Sequence, residues 1–270
     1  MPFDASSTLP VLTPARLALV ALAAAGGGMM NAIAGGGTLL TFPALVGLGV
    51  PPIVANATST VALWPGSLTS MWSYRDALGG ARSWTVRWAL PSLAGGITGA
   101  LLLLRTPEGV FAASVPWLIW GATLLFVLQG PVMRWVVGHV QPVTGGELPP
   151  PRTGFLFYQF LVAIYGGYFG AGAGILMLAA LGMMGLTNIH TMNGLKNWGG
   201  LNINIVAVLI FGVSGIVDWP VALVMAVGAA IGGAIGARMA QRVGQHWVRR
   251  AIIGIGVGSG AWLLFERLSA

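Results

Sequence analysis

The sequence predicts an all-α polytopic membrane protein built from two related halves of about five helical segments each. Of its 270 residues, 56% are hydrophobic and only 7% are charged, and the mean hydropathy is +0.83. A soluble domain of this length carries far more charge, whereas a set of membrane-spanning helices needs little. The prediction rests on this composition, on ten apolar stretches and on a repeat between the halves.

The apolar stretches fall into two sets of five. The first set covers residues 15–34, 38–48, 53–74, 84–104 and 110–133, and the second covers 155–170, 175–186, 189–213, 219–239 and 248–265. The second member of each set has only about a dozen residues, whereas roughly 20 are needed to cross the hydrocarbon core. We expect these two short segments to be half-helices or re-entrant arms.

The two halves share residues at a single offset of 137 positions. The pairs are Gly35 with Gly172 (172 − 35), Asn56 with Asn193, Ser59 with Lys196, and Gly95, Gly96 and Gly99 with Gly232, Gly233 and Gly236. A match over this span predicts an internal repeat.

Arginines predict opposite orientations for the two halves. The loop after the third segment carries Arg75, Arg82 and Arg87 in the first half, but only Asp218 in the second; one loop later the balance reverses, with Arg238, Arg242, Arg249 and Arg250 in the second half. Because arginine-rich loops stay cytoplasmic, corresponding loops lie on opposite sides and both termini face outward. We expect an extracytoplasmic tail (1–14), a transmembrane repeat (15–134), a cytoplasmic linker (135–153) and a second, inverted repeat (154–268). Inverted repeats with broken helices are a transporter architecture.

Lys196 is the only lysine of the chain, and it lies inside the apolar stretch 189–213. A charge at that depth costs roughly 2.5–3.5 kcal/mol on insertion scales. The carboxylates fall in the tail, in loops or at segment ends: Asp4, Asp76, Glu108, Glu147, Asp218 and Glu266. The ammonium must therefore be satisfied by carbonyls, amides or water, or by an anion that comes and goes. The last alternative predicts an anion-handling membrane protein.

Two groups of residues are candidates for binding that anion. Glycines precede each short segment, where unwound backbone and the amides of a helix N-terminus attract anions. The third segment of each half opens with amides and hydroxyls, which together with one cation suit an oxyanion. Tight helix packing and interhelical hydrogen bonding are the structural alternatives. The predicted substrate-binding residues are Gly35, Gly36, Gly37, Thr38, Asn56, Thr58, Ser59, Gly170, Gly172, Gly174, Asn193, Lys196 and Asn197.

Two further patterns concern helix packing and the membrane interface. Small residues at four-residue spacing are typical of helix contacts, so we expect packing roles for Gly95, Gly99, Gly228, Gly232 and Gly236. Tryptophans near segment ends predict an interfacial belt that includes Trp84, Trp88, Trp117, Trp120 and Trp219.

Several classes of function lack their residues. The chain has no H-E-x-x-H, G-x-S-x-G or Walker sequence and no cysteine. It therefore lacks the residues that hydrolysis, metal catalysis, ATP use and thiol chemistry require. The chain has no run of basic residues interleaved with aromatic residues, which is the pattern that would indicate nucleic-acid binding. We therefore expect a protein that is not an enzyme and that uses no cofactor, no metal and no nucleic-acid partner.

Four motifs in order carry a resemblance to a known family. They are AGGGTLLTFP (34–43), GVPPIVANATSTVALWPG (49–66), YGGYFGAGAGILML (165–178) and MNGLKN (192–197). With these residues the chain resembles the sulfite exporter TauE/SafE family of membrane transporters, from about Arg16 to Leu264. The resemblance implies an inner-membrane carrier for small organic or inorganic anions, often sulfur-containing, such as sulfite or sulfonates.

Our hypothesis is a secondary transporter that holds one small anion between two inverted repeats and works by alternating access. A coupled proton could travel on Lys196 or on the anion itself. The alternatives are a non-transporting membrane assembly factor and a membrane enzyme acting on lipid. Substrate, direction of transport and oligomeric state stay open at this point.

Overall fold

The computed structural model describes residues 13–139, 150–242 and 246–269. Within these ranges the chain forms ten α-helices, a 3-10 turn at Arg75–Leu78 and no β-strand. The helices are α1 (Pro14–Ile33), α2 (Thr38–Val46), α3 (Pro52–Ser73), α4 (Arg82–Arg105), α5 (Glu108–His139), α6 (Thr153–Tyr168), α7 (Ala173–Met183), α8 (Ile189–Ser214), α9 (Trp219–Arg242) and α10 (His246–Ser269). Most of the predicted tail and the centre of the predicted linker lie outside the described residues.

Several helices have the length and surface of membrane spans. Among the described residues, five helical stretches are long and apolar enough to cross a membrane: Pro14–Ile33, Arg82–Arg105, Glu108–Val132, Ile189–Ser214 and Trp219–Ala240. Large apolar side chains lie on the outside, such as Leu90 at 73% and Val213 at 89% exposure. Such a surface suits lipid rather than water. The chain is a multi-pass, all-α membrane protein, as predicted.

The two predicted short segments are short helices. α2 has nine residues and α7 has eleven, so neither can cross the hydrocarbon core alone. Each follows a longer helix after a break of four residues, 34–37 in the first half and 169–172 in the second. These two breaks are the places where backbone groups leave helical hydrogen bonding inside the protein.

The helices before the breaks end in the same way. Ala34 and Gly35 donate their amides to the carbonyl of Met30, and Phe169 and Gly170 donate theirs to the carbonyl of Tyr165. Gly35 has φ 81° and Gly170 has φ 85°. This left-handed conformation after a helix strongly favours glycine, because a Cβ would strain it.

Helices of the two halves pack on one another in matching pairs. The packing of α1 on α9 corresponds to that of α6 on α4 when the halves are exchanged, and the packing of α3 on α9 corresponds to that of α8 on α4. The contacts of α5 with α7 and of α10 with α2 form a third pair. This pattern supports the predicted repeat and brings both breaks to the interface between the halves.

The predicted packing glycines lie where these helices cross. A Cβ on Gly95 would lie 2.5 Å from the carbonyl oxygen of Phe160 in α6, and one on Gly236 would lie 2.6 Å from the Cα of Met29 in α1. Gly228 and Gly232 approach the α1 backbone, and Gly99 approaches that of α6, in the same manner. A larger side chain would push the helices apart, which confirms the packing role.

The offset between the halves is not uniform, which corrects the single value of 137. The left-handed glycine after α1 is Gly35, and its counterpart after α6 is Gly170, at an offset of 135 (170 − 35), rather than Gly172. The left-handed glycines after the short helices, Gly49 and Gly185, are 136 apart (185 − 49). The first turns of α3 and α8 are 137 apart, since the bond from Ala55 to Pro51 corresponds to that from Met192 to Asn188. The second half thus gains two residues in steps, which an ungapped comparison cannot detect.

The tryptophan belt is only partly as predicted. Trp117 and Trp219 are 67% and 44% exposed, as expected for the interface, but Trp84 and Trp88 are fully buried. The buried pair packs in a cluster with Leu181 of α7 and with residues of α8. The start of α8 covers this end of α4, so position near a segment end did not predict exposure.

Candidate functional site

A cavity lies where the two breaks meet α8. Its volume is about 50 Å³, measured as the space open to the centre of a water-sized sphere. A water needs roughly 10–15 Å³ on this measure, so the cavity has room for a few waters or one small ion. Gly35 belongs to one break, Gly170 to the other and Gly174 to the first turn of α7, and all three line it.

Glycine allows the breaks to touch. A Cβ on Gly35 would lie 2.7 Å from the Cα of Gly174, and one on Gly174 would lie 2.8 Å from the Cα of Gly35. The Gly172 amide donates to the Gly35 carbonyl at 3.2 Å. The Gly174 amide donates to no backbone carbonyl of the described residues, as is usual for a first-turn amide. The end of α1 and the start of α7 therefore form one wall of the cavity.

Lys196 reaches this wall from α8. Its side chain is 2% exposed, and its Nζ donates to the carbonyls of Asn31 at 3.1 Å and Ala32 at 3.0 Å. These carbonyls lie in the last turn of α1, where acceptors lack helical partners and partial negative charge gathers. An ammonium has three N–H groups, and the third has no acceptor among the described residues. The backbone of the other half thus holds Lys196 while one charged donor remains.

One face of α8 adds polar residues to the cavity wall. Asn197, Gly200 and Asn204 follow Lys196 along the cavity at helical spacing. Asn197 is 6% exposed, and its Nδ2 has no hydrogen-bond partner among the described residues. An unpaired buried donor costs about 1–3 kcal/mol, and such exceptions call for an explanation. A ligand acceptor in the cavity would supply one.

Charge in the cavity comes from a single side chain. Among the residues whose side chains the structure describes, Lys196 is the one charged residue that lines the cavity, and the only other buried charged side chain is Asp218. Asp218 lies before α9, where its Oδ1 accepts the Val221 amide at 3.2 Å. The cavity therefore combines one cation with neutral donors, which suits a small anion.

Sequence reasoning missed three polar residues of the wall: Asn31, Ser67 and Asn204. Asn31 Nδ2 donates to Ser67 Oγ at 3.2 Å, which links α1 to α3. Two signals could have found part of this set. Asn31 lies in the last turn before a glycine break, and Asn204 lies eight residues after Lys196 on the same helical face.

Five of the predicted substrate-binding residues line the cavity: Gly35, Gly170, Gly174, Lys196 and Asn197. Three others hold the breaks in place. A Cβ on Gly36 would meet the ring of Phe126, one on Gly37 would meet the Gly27 carbonyl, and Gly172 is the N-cap of α7 with φ 80°. Thr38 is buried in the first turn of α2.

The remaining predicted residues, at the start of α3 and α8, lie away from the cavity wall. Thr58 Oγ1 accepts the Asp218 amide at 3.0 Å, and Ser59 Oγ pairs with Thr41 Oγ1 at 2.5 Å. Asn56 Nδ2 donates to the Tyr168 carbonyl at 3.0 Å. Asn193 is 2% exposed, and its Oδ1 has no partner in the described part of the chain. Their contact with a substrate stays a prediction.

Comparison with known proteins identifies relatives along nearly the whole chain. Residues 19–263 match the family described as Sulfite exporter TauE/SafE. The chain is 31% identical over 217 residues to the Probable membrane transporter protein ORF9 of a Sinorhizobium species, covering 78% of each chain. It is 28% identical over 208 residues to a Probable membrane transporter protein of Haemophilus influenzae, covering 74% of this chain and 75% of the relative.

A third relative covers more of the chain. The Probable membrane transporter protein YfcA of Escherichia coli K12 is 28% identical over 272 residues, covering 96% of this chain and 94% of the relative. No solved structure matches. The matched family model spans both breaks, α8 and the cavity between them. The chain belongs to the sulfite exporter TauE/SafE family.

Proposed function

We propose that this protein is a secondary transporter that moves a small anion across the cell inner membrane by alternating access. The anion is sulfur-containing, of the sulfite or organosulfonate kind. The description of the family and the names of the relatives support this function. The protein acts as a carrier rather than an enzyme.

The observation that carries the proposal is the environment of Lys196. A buried ammonium in a membrane helix is costly and is typical of substrate and ion pathways. Here it lines a cavity, two of its N–H groups are held by the end of α1, and the third has no acceptor in the described part of the chain. An anion that binds beside it would accept from this third N–H and from Asn197 Nδ2.

The two breaks support transport rather than static binding. Transporters built from inverted repeats bind substrate near the membrane midplane, at discontinuous helices on the repeat interface. We propose that residues 15–134 and 154–268 are such repeats, with the arginine-rich loops cytoplasmic and both termini extracytoplasmic. Rocking of one repeat against the other, around the contact between Gly35 and Gly174, would expose the site to each side in turn.

Coupling follows from the charges of the site. None of the described residues that line the cavity carries a carboxylate, so a sodium site or proton relay of the Asp or Glu type lacks its ligands among them. We propose that a coupled proton would travel on Lys196 or on the anion itself. Lys196→Gln and Lys196→Met would each remove the side chain that could carry the proton.

The test is flux into proteoliposomes that contain the purified full chain. We expect uptake of labelled sulfite or a small sulfonate above that of protein-free vesicles, with loss of flux in Lys196→Met. Arg87→Gln removes one positive charge from an exposed position of α4 and should leave flux unchanged. Absence of flux for every anion would contradict the carrier. If Lys196→Met disrupted a complex with another membrane protein and no flux existed, the chain would be an assembly factor.

A further inference from the structure

The charges around the cavity bear on the valence of its ligand. We propose that the site selects a monovalent anion over a divalent anion of similar shape. This inference rests on the proposed function, because it concerns the same anion site.

The side chains of the cavity supply one unit of charge. Within the described part of the chain, Lys196 is the single charged residue of the wall, and the other polar side chains there are the neutral Asn31, Ser67, Asn197 and Asn204. The neutral groups can orient an anion of either valence. Discrimination by valence therefore depends on Lys196 and on the backbone.

The backbone contributes partial charges of opposite sign. Lys196 contacts carbonyls at the C-terminus of α1, an end that carries about half a negative charge, whereas the N-terminus of α7 at Gly174 carries about half a positive charge. Because both helix ends meet at the same wall, these partial charges largely offset each other. The net charge offered to a ligand is close to one positive unit.

A buried site favours a ligand that neutralises it. Lys196 and Asn197 are 2% and 6% exposed, whereas Asn31 and Asn204 of the same wall are half-buried, so solvent screens a ligand beside Lys196 and Asn197 only in part. A monovalent anion leaves the cavity close to neutral, whereas a divalent anion leaves one buried negative charge without a partner, which is strongly unfavourable. Among the described residues, the donors of the wall that lack a protein acceptor include the third N–H of Lys196, Asn197 Nδ2 and the first-turn amide of Gly174. They do not suffice to solvate a second charge.

Paired anions test this inference in thermal unfolding of the detergent-purified full chain. The pairs are methanesulfonate against sulfate and acetate against oxalate, at constant ionic strength. Sulfate also stabilises proteins through exclusion from their surface, so the quantity compared is the stabilisation lost in Lys196→Met. We expect the monovalent member of each pair to reach half-maximal stabilisation at a concentration at least about tenfold lower than the divalent member. A tenfold ratio of the two concentrations corresponds to about 1.4 kcal/mol of binding free energy.

The outcomes separate this inference from the proposed function. Equal or tighter binding of the divalent members would overturn the inference and leave the carrier intact. No Lys196-dependent stabilisation by any of the four anions would overturn both.

A charge-addition variant gives a second readout. Asn204→Lys adds a positive charge to the cavity wall and should move the ratio at least about tenfold toward the divalent anions. Thr187→Lys adds the same charge to an exposed position before α8 and should not move it. An unchanged ratio of monovalent to divalent half-maximal concentrations in folded Asn204→Lys would contradict the proposed selection by charge. If that variant does not fold, the paired anions on the wild-type protein and Lys196→Met test the proposal alone.

Discussion

Replacing Lys196 by methionine separates the structural role of the side chain from its role in binding. The change leaves the carbonyls of Asn31 and Ala32 without the Nζ hydrogen bonds that they accept at 3.1 and 3.0 Å. Two unpaired buried acceptors cost about 1–3 kcal/mol each. The change also removes an ammonium whose burial in a membrane helix costs about 2.5–3.5 kcal/mol. The two terms nearly cancel, so we expect the free energy of unfolding to fall by only about 1 kcal/mol.

Anion binding should respond far more strongly than stability. A ligand present at 100 times its Kd stabilises the wild-type protein by about 2.7 kcal/mol, and Lys196→Met should lose this entire increment. The assay is thermal unfolding of detergent-purified protein with and without the anion. Lys196→Arg keeps the charge and should retain part of the increment, and Arg87→Gln should retain all of it. Full anion stabilisation of Lys196→Met would refute the assignment of Lys196 to the site.

Three further substitutions test the breaks and the cavity wall. Gly35→Ala should lower stability by about 1–3 kcal/mol or more, because of its left-handed φ of 81° and because the added Cβ would lie 2.7 Å from the Gly174 Cα. Gly121→Ala in α5, where an added Cβ meets nothing within 4 Å, should be neutral or stabilising by up to about 1 kcal/mol; equal unfolding midpoints for the two variants would contradict the requirement for glycine at the break. Asn197→Ala should weaken anion binding about tenfold in calorimetric titration and should not lower the unfolding midpoint without anion, because it removes a buried donor that has no partner; unchanged affinity would remove Asn197 from the site. Thr58→Val should lower stability by about 1 kcal/mol through loss of the hydrogen bond that Thr58 Oγ1 accepts from the Asp218 amide; unchanged anion affinity would contradict the predicted substrate contact of Thr58, and a loss of affinity would support it.

Much of the fold could be predicted because the membrane imposes strong local rules. Apolar length fixed which stretches are helices, and glycine before a short apolar segment marked both breaks. The register between the halves could not be predicted, because the second half differs by single residues between Gly35 and the start of α3. The matching helix-end hydrogen bonds and the left-handed φ values at Gly35 and Gly170 reveal the correspondence. The burial of Trp84 and Trp88 depends on how α8 covers α4, which no local pattern encodes.

The candidate site could be predicted only in part, because some of its residues are recognisable locally and others are not. Lys196 and Asn197 were identifiable because a cation and amides in an apolar stretch are costly wherever they lie. Asn31 and Ser67 were not predicted, because a single asparagine or serine in a membrane helix commonly contributes to helix packing. Their place on the cavity wall follows from the approach of α1 to α3 and α8, which only the assembled structure gives.

A crystal structure of the full chain with its most stabilising anion tests the anion site most directly. We predict anion density in the cavity between Gly35 and Gly174, with oxygens within about 3 Å of Lys196 Nζ and Asn197 Nδ2. Density at another place, with Lys196 still bonded to the α1 carbonyls and no ligand beside it, would contradict the central claim that this cavity is the anion site.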